Sequence, residues 1–330
     1  MDSIMRALLT EIGGYERCVT EFVRVSQTVL PKRVFYRYAP ELLSDGVTAS
    51  GVPVYVQLLG SDPGLMAANA RRVAMLGAPG IDLNFGCPAK TVNRSQGGAS
   101  LLRTPDLIRS ICVAVRDSVP AHTPVTAKIR LGFDNDSELE DILRALELAP
   151  LTELTIHART RRQGYRPPAH WHRLREARAS LPFPIIANGA LWRPSHVSRS
   201  ASASGCEAFM LARGSLCRPD LGAAIQAAHQ TAEPVPFDWE QVKQLLMYFL
   251  EQNRSQYDPR YAVNPVKQWL VYLKFYYPQA GALFAKVKRV TDPNAMATAL
   301  GEGHEAQAAG HDEYRRRKPT GPAAARGAQQ

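Results

Sequence analysis

The sequence predicts an α/β protein whose parallel strands, joined by crossover helices, curl into a (β/α)8 barrel followed by a small helical domain. Three observations carry that expectation. Short β-branched runs alternate with amphipathic stretches over the first two thirds of the chain. Neither GxGxxG nor GxxxxGK[ST] follows the first strand, which removes the usual phosphate fingerprints of an open doubly wound sheet. Polar and reactive residues fall at the ends of several different strands, where a barrel assembles its site, rather than at one switch point.

In order, strands are expected at 17–23, 52–59, 80–85, 125–131, 153–158, 184–187 and 208–211, with helices at 63–76, 104–119, 137–148, 171–179 and 194–203. The polar strand ends are Gln57, Asn84 with Cys87, Lys128, His157, Asn188 and Arg213. Seven strands leave a closed TIM barrel one short. The chain opens on a helix, with Asp2 or Ser3 able to cap the apolar run 4–12, so the missing element would be strand one, upstream of Met1. After about residue 235 the strands stop, and 237–253, 265–277 and 280–290 read as helices. The expected units are 1–235 as barrel, 236–309 as helical domain, and 310–330 as a disordered basic tail.

Composition excludes several classes. Hydrophobic residues at 45% and charged residues at 21% rule out a wholly disordered or collagen-like chain. No apolar run is long enough for a membrane helix, and no secretory signal is readable at the N-terminus, so a soluble cytoplasmic protein, a monomer, is expected. Five cysteines without a CxxC pair argue against a disulfide framework and against a metal site. A net charge of +10 only modestly favours a polyanionic partner, but its distribution says more. Between 260 and 289 stand Arg260, Lys267, Lys274, Lys286, Lys288 and Arg289, with no acidic residue and with Tyr261, Trp269, Tyr272, Phe275, Tyr276, Tyr277 and Phe284 among them. That mixture suits phosphate contact plus base stacking, and equally a helix with core aromatics and solvated lysines.

The segment 81–99 is the most informative. A strand runs into Asn84, and Gly86-Cys87-Pro88 then turns sharply and puts a thiol at the barrel mouth. A lone cysteine is usually a small buried hydrophobe, but one held between Gly and Pro just after a strand is placed to act as an acid or nucleophile.

With Asn84-Phe85-Gly86-Cys87-Pro88 followed by Gly97-Gly98-Ala99, the chain resembles the tRNA-dihydrouridine synthases. The likeness continues in family order through 20–23, 57–60, 128–132, 156–160 with 163–165, 187–189 and 213–214, and Lys267-Gln268-Trp269 fits the branch that modifies U16 of the D-loop. The resemblance implies an FMN-containing barrel, reduced by NADPH, that delivers hydride from N5 to C6 of a uracil flipped out of tRNA. Cys87 matches the acid that then protonates C5, a step a positioned thiol can perform. By the same resemblance Gln57 meets the flavin edge, Lys128 stands near N1 and O2, and His157 is a further flavin contact. Asn188, Gly189 and Ala190, with Ala212 and Arg213, match the phosphate loops. Asn84, Tyr165 and Tyr272 match substrate contacts, and Arg24, Lys267 and Lys288 match positions that orient tRNA.

The chain departs from the family pattern in four places. The first strand and its flavin loop are absent, Ala212 replaces a glycine, Ala190 an acidic residue, and Pro265 an arginine. The expectation for the first departure is that the natural protein starts upstream, and that the form beginning at Met1 is less stable and holds flavin more weakly. Two other functions are compatible with these residues: a flavin barrel reducing free pyrimidines, like a dihydropyrimidine or dihydroorotate dehydrogenase, and a tRNA-binding protein that has lost flavin.

Overall fold

The computed structural model describes residues 1–230 and 235–301, so the expected tail at 310–330 lies outside the described residues. The strands are β1 (Cys18–Val19), β2 (Val23–Arg24), β3 (Val54–Leu59), β4 (Ile81–Asn84), β5 (Val125–Arg130), β6 (Glu153–His157), β7 (Ile185–Asn188) and β8 (Ala208–Met210). Every pairing is parallel, in the order β1-β3-β4-β5-β6-β7-β8, with β2 also on β3. This is the sheet order of a (β/α)8 barrel, as expected, left open between β8 and β1 among the described residues. β3 to β7 are buried on both faces almost throughout, which is why they read as apolar runs rather than alternating ones.

The single strand expected at 17–23 is broken in two, and its register shows why. Cys18 and Val19 face Val54 and Tyr55, whereas Val23 and Arg24 face Leu58 and Leu59. Thr20, Glu21 and Phe22 therefore oppose only Val56 and Gln57, a one-residue bulge. The side chain repairs the interrupted ladder: the Gln57 N–H donates to Thr20 Oγ1 at 3.0 Å.

The helices are α1 (Ser3–Ile12), α2 (Lys32–Tyr38), α3 (Pro63–Met75), α4 (Lys90–Arg94), α5 (Pro105–Ser118), α6 (Leu139–Glu147), α7 (Leu174–Ser180), α8 (Pro194–Ser204), α9 (Arg213–Cys217), α10 (Leu221–His229), α11 (Trp239–Gln256), α12 (Pro259–Leu273), α13 (Pro278–Val287) and α14 (Pro293–Gly301). Their starts follow side-chain chemistry. Asp2 caps α1 through Met5 N, Asp62 caps α3 ahead of Pro63, and Asp238 with Gln241 forms a capping box on α11. The helix expected to begin at Pro265 instead begins at Pro259, because Asp258 caps it and Pro265 lies inside α12. None of these helices is long and apolar enough to cross a membrane.

Two apolar cores result. The first fills the barrel and its crossover helices, with Val56, Leu83, Phe85, Ile129 and Ile156 all buried. The second joins α11 to α14, and Ile4, Met5, Leu8 and Leu9 of α1 pack into it. The apolar face of α1, which lies within the expected 1–235 unit, thus packs with the helices beyond 235. α1 is also tied to the barrel side by the buried Arg6–Glu41 ion pair at 2.8 Å. Trp269, 2% exposed, ties α12 to α9 by donating Nε1–H to Leu216 O at 2.9 Å.

Of the aromatics among the basic residues at 260–289, Trp269 and Tyr277 are buried, Tyr272, Tyr276 and Phe284 pack against the second core, and Tyr261 and Phe275 are exposed. The segment is thus part core and part open surface.

Candidate active site at the strand carboxyl ends

The parallel register lines the polar strand ends into one row. Gln57 pairs with Asp82, Asn84 with Lys128, Arg130 with His157, and His157 with Asn188. Beside this row opens a cavity of about 300 Å³. Asn84, Cys87, Lys128, His157, Tyr165, Asn188, Gly189, Ala190, Ala212 and Arg213 line it, so ten of the fifteen residues expected at the site meet there.

The Cys87 turn is held from several sides. Asn84 Oδ1 accepts from the N–H groups of Gly86 and Cys87 at 3.1 and 3.0 Å, and Arg130 Nε donates to Gly86 O at 2.8 Å. Asn93 Nδ2 and the Ala99 N–H both donate to Cys87 O. Gly98, at φ +61°, passes so close that an added Cβ would stand 2.9 Å from Cys87 O, which explains the glycine pair spaced behind the thiol. The thiol is half-buried at the cavity wall.

Gln57 lies behind the wall, with both amide ends engaged. Its Nε2 donates to Asp82 Oδ2 at 2.6 Å, and its Oε1 accepts from Asn84 Nδ2 at 2.7 Å. Asp82 Oδ1 accepts from Thr126 Oγ1 at 2.7 Å. Burial raises the Asp82 carboxyl above its ordinary range, and the Thr126 and Gln57 donors oppose that shift.

Electrostatically the cavity is a cation cluster whose nearby carboxyl, Asp82, acts on Lys128 from behind the wall. No Asp or Glu is among its lining residues. Lys128 donates to Asn188 Oδ1 at 2.9 Å, and burial, assisted by Arg130, pushes its ammonium down to about 8. Burial also lowers Arg130, to about 10, and Arg159. His157 is held neutral by burial and then by Lys128, Arg130, Arg159 and Arg213. Shifts of one sign on so many cationic groups mean that an anion entering the cavity would relieve their crowding. Arg213 lies over the rings of Tyr165 and Trp192, 4.3 and 5.1 Å from their centroids.

The turn after β7 is shaped from behind. Gly189 is at φ +115° and Ala190 at φ +56°. A Cβ on residue 189 would stand 2.7 Å from His157 Cδ2, so only glycine fits. Trp171 Nε1–H donates to Gly189 O at 2.8 Å, and His196 Nδ1 lies 3.0 Å from Ala190 O. Both carbonyls are thus engaged by side chains from outside the turn, Trp171 from before β7 and His196 from α8.

The remaining expected residues lie outside the cavity lining. Arg24 is exposed on β2 and bonds Ser95 beyond α4, and Lys267, Tyr272 and Lys288 belong to the helical unit. Sequence reasoning missed Arg130, Trp192, Trp171 and His196. Arg130 carried a signal, because it shares a strand face with Lys128 two residues earlier. The others did not, since their roles depend on loop paths.

The family model described as Dihydrouridine synthase (Dus) matches residues 1–302. A tRNA-dihydrouridine(16) synthase of Aquipseudomonas alcaligenes is 46% identical over 292 residues, covering 88% of this chain and 93% of that protein. Proteins of the same description from Pseudomonas putida and Vibrio parahaemolyticus are also 46% identical, over 301 and 289 residues, covering 91% and 87% of this chain and 93% and 88% of theirs. Among solved structures, histamine dehydrogenase from Rhizobium sp. 4-9 superposes with a TM-score of 0.53 at 14% identity, covering 69% of this chain and 44% of that one. A 2-naphthoyl-CoA reductase gives a TM-score of 0.53 at 11% identity, over 70% of this chain and 47% of that one. At such identities these two structures share the fold alone.

Proposed function

This chain belongs to the dihydrouridine synthase family, and from that premise we propose that it reduces the C5–C6 bond of uridine 16 in the tRNA D-loop, using FMN as cofactor and NADPH as reductant. The observation that carries the reading is a single cavity combining a half-buried thiol on a braced turn with buried cations and no carboxylate lining. It acts as a monomer in the cytoplasm.

The residues present fit an anionic flavin. Arg213, Ala212 and the Gly189–Ala190 turn, whose carbonyls are tied off by Trp171 and His196, are suited to the phosphate. Lys128, oriented by Asn188, offsets negative charge on a reduced ring, and neutral His157 offers a hydrogen bond without adding charge. Gln57 keeps a second N–H and a second Oε1 lone pair beyond its bonds to Asp82 and Asn84, and these are free to meet the ring edge. Bound there, the flavin would supply hydride to C6 of the uracil. Cys87 gives the proton to C5, and its turn holds Sγ at the cavity wall for that transfer. Asn84 and Tyr165 meet the flipped base, while Arg24, Lys267, Tyr272 and Lys288 guide the tRNA.

The test is direct. Purified protein should be yellow, and NADPH-driven turnover should convert U16 of tRNA but not free uridine. Equal turnover of free uridine would favour a pyrimidine reductase, and colourless protein that binds tRNA would favour a binding protein. Relatives described as tRNA-dihydrouridine(16) synthases and the basic, partly aromatic helical surface support the first outcome.

Two further results are expected. Trp171→Phe should weaken FMN about tenfold, the effect of one lost hydrogen bond, and leave riboflavin affinity unchanged because riboflavin has no phosphate. Equal loss for both in fluorescence titrations would move the phosphate elsewhere. Replacing Lys267 and Lys274 together with Glu should weaken tRNA binding and reduce its log-log salt slope by about two, with flavin content intact. Unaltered affinity would make that face merely solvated.

A further inference from the structure

We propose that Asp82 is a positioning residue: through Gln57 and Asn84 it sets the direction of a hydrogen-bond chain that fixes the backbone of the Cys87 turn. The proposal deepens the reading of Cys87 as proton donor and rests on it for its catalytic meaning.

The argument begins with the ambiguity of side-chain amides. Gln57 and Asn84 each have a donor end and an acceptor end of nearly the same shape, so either could sit in its place with the two ends exchanged. Groups that act in one sense remove the ambiguity: the Gly86 and Cys87 N–H groups, which only donate, at one end, and Asp82, both of whose oxygens accept, at the other. Asp82 is 1% exposed and has no ion-pair partner within 4 Å among the described residues. Its two oxygens are taken by Thr126 Oγ1 at 2.7 Å and Gln57 Nε2 at 2.6 Å.

With Nε2 committed to Asp82, Gln57 must turn Oε1 toward Asn84, and it does, at 2.7 Å from Asn84 Nδ2. With Nδ2 committed in turn, Asn84 presents Oδ1 to the N–H groups of Gly86 and Cys87. Reversing any member would aim an NH2 group at those two N–H groups. The adjacent register of Gln57 and Asp82 places the first link inside the sheet, where water does not replace a lost partner. A carboxyl buried inside the sheet is costly, with Lys128 and Arg17 offsetting only part of the burial, and a fixed direction for the chain is what it supplies.

The experiment is amide hydrogen exchange at Gly86 and Cys87 in the full-length protein. Asp82→Asn replaces the acceptor-only group with an amide that fits either way round, and where its oxygen faces Thr126 and its NH2 faces Gln57, Gln57 and then Asn84 turn end for end. Exchange at both amides should accelerate about tenfold, and dihydrouridine formation should fall with it. Adding Gln57→Glu to Asp82→Asn moves the acceptor-only group one link along the chain and restores its direction, so protection should return to within about threefold of wild type. Unchanged exchange in the single variant overturns the proposal, as does acceleration that the double variant does not reverse. If the single variant fails to fold, the double variant decides alone: protected amides support the chain and unprotected ones overturn it. Exchange needs neither substrate nor flavin, so this result stands apart from whether Cys87 is the proton donor.

Discussion

Cys87→Ala is expected to retain bound flavin and NADPH oxidation while losing about 100-fold or more of its dihydrouridine formation. The thiol makes none of the hydrogen bonds that hold the turn. Those bonds come from the backbone of Gly86 and Cys87 with Asn84, Arg130, Asn93 and Ala99, all of which survive the substitution. The variant therefore removes the proton and little else. Single-turnover assays on tRNA, run beside flavin reduction by NADPH, separate the two half-reactions. Near-normal dihydrouridine yield would assign the thiol to packing.

Flavin binding is expected to weaken about tenfold per pH unit between pH 8 and 9.5, and Lys128→Met to abolish that slope while binding weakly at every pH. The sign follows from the depressed ammonium. Burial and Arg130 lower Lys128 from 10.5 to about 8, and an anionic ligand raises it again. Below pH 8 the lysine is already charged and affinity is flat. Above it, binding must take up a proton. The flavin-free protein should respond in the opposite direction. Unfolding restores the ordinary lysine value, so between about 8 and 10.5 the unfolded chain holds more protons and folded stability rises with pH. Titrations of wild type and Lys128→Met on one pH series check both signs, and an identical slope in the methionine variant would assign the proton to another group.

The barrel was legible because parallel strands bury both faces and so stand out as apolar runs, as in β3 and β5. The site was legible where strand geometry alone placed it, as with Asn84, Lys128, His157 and Asn188. What stayed hidden depended on partners distant in sequence. The bulge at Thr20–Phe22 is defined by its offset against β3, not by its own residues. Pro265 read as a helix start because proline favours that position, while Asp258 had already begun the helix. Trp171 and His196 act on a turn whose path no local pattern announces.

The packing of α1 also bears on how the chain acquires its structure during synthesis. Ile4, Met5, Leu8 and Leu9 find their apolar partners chiefly in α11 to α14, more than 200 residues later in the sequence. The barrel strands can pair with near neighbours as they emerge, but this helix emerges among the first residues and is seated among the last. For most of translation it is an amphipathic segment held mainly by the Arg6–Glu41 contact, with its apolar side open to chaperones or to other nascent chains. Contacts of such long sequence separation are slow to form, so closure of the second core should be the late event in refolding. A circular permutant that places α1 directly after α14 would turn the longest contacts in the molecule into short ones.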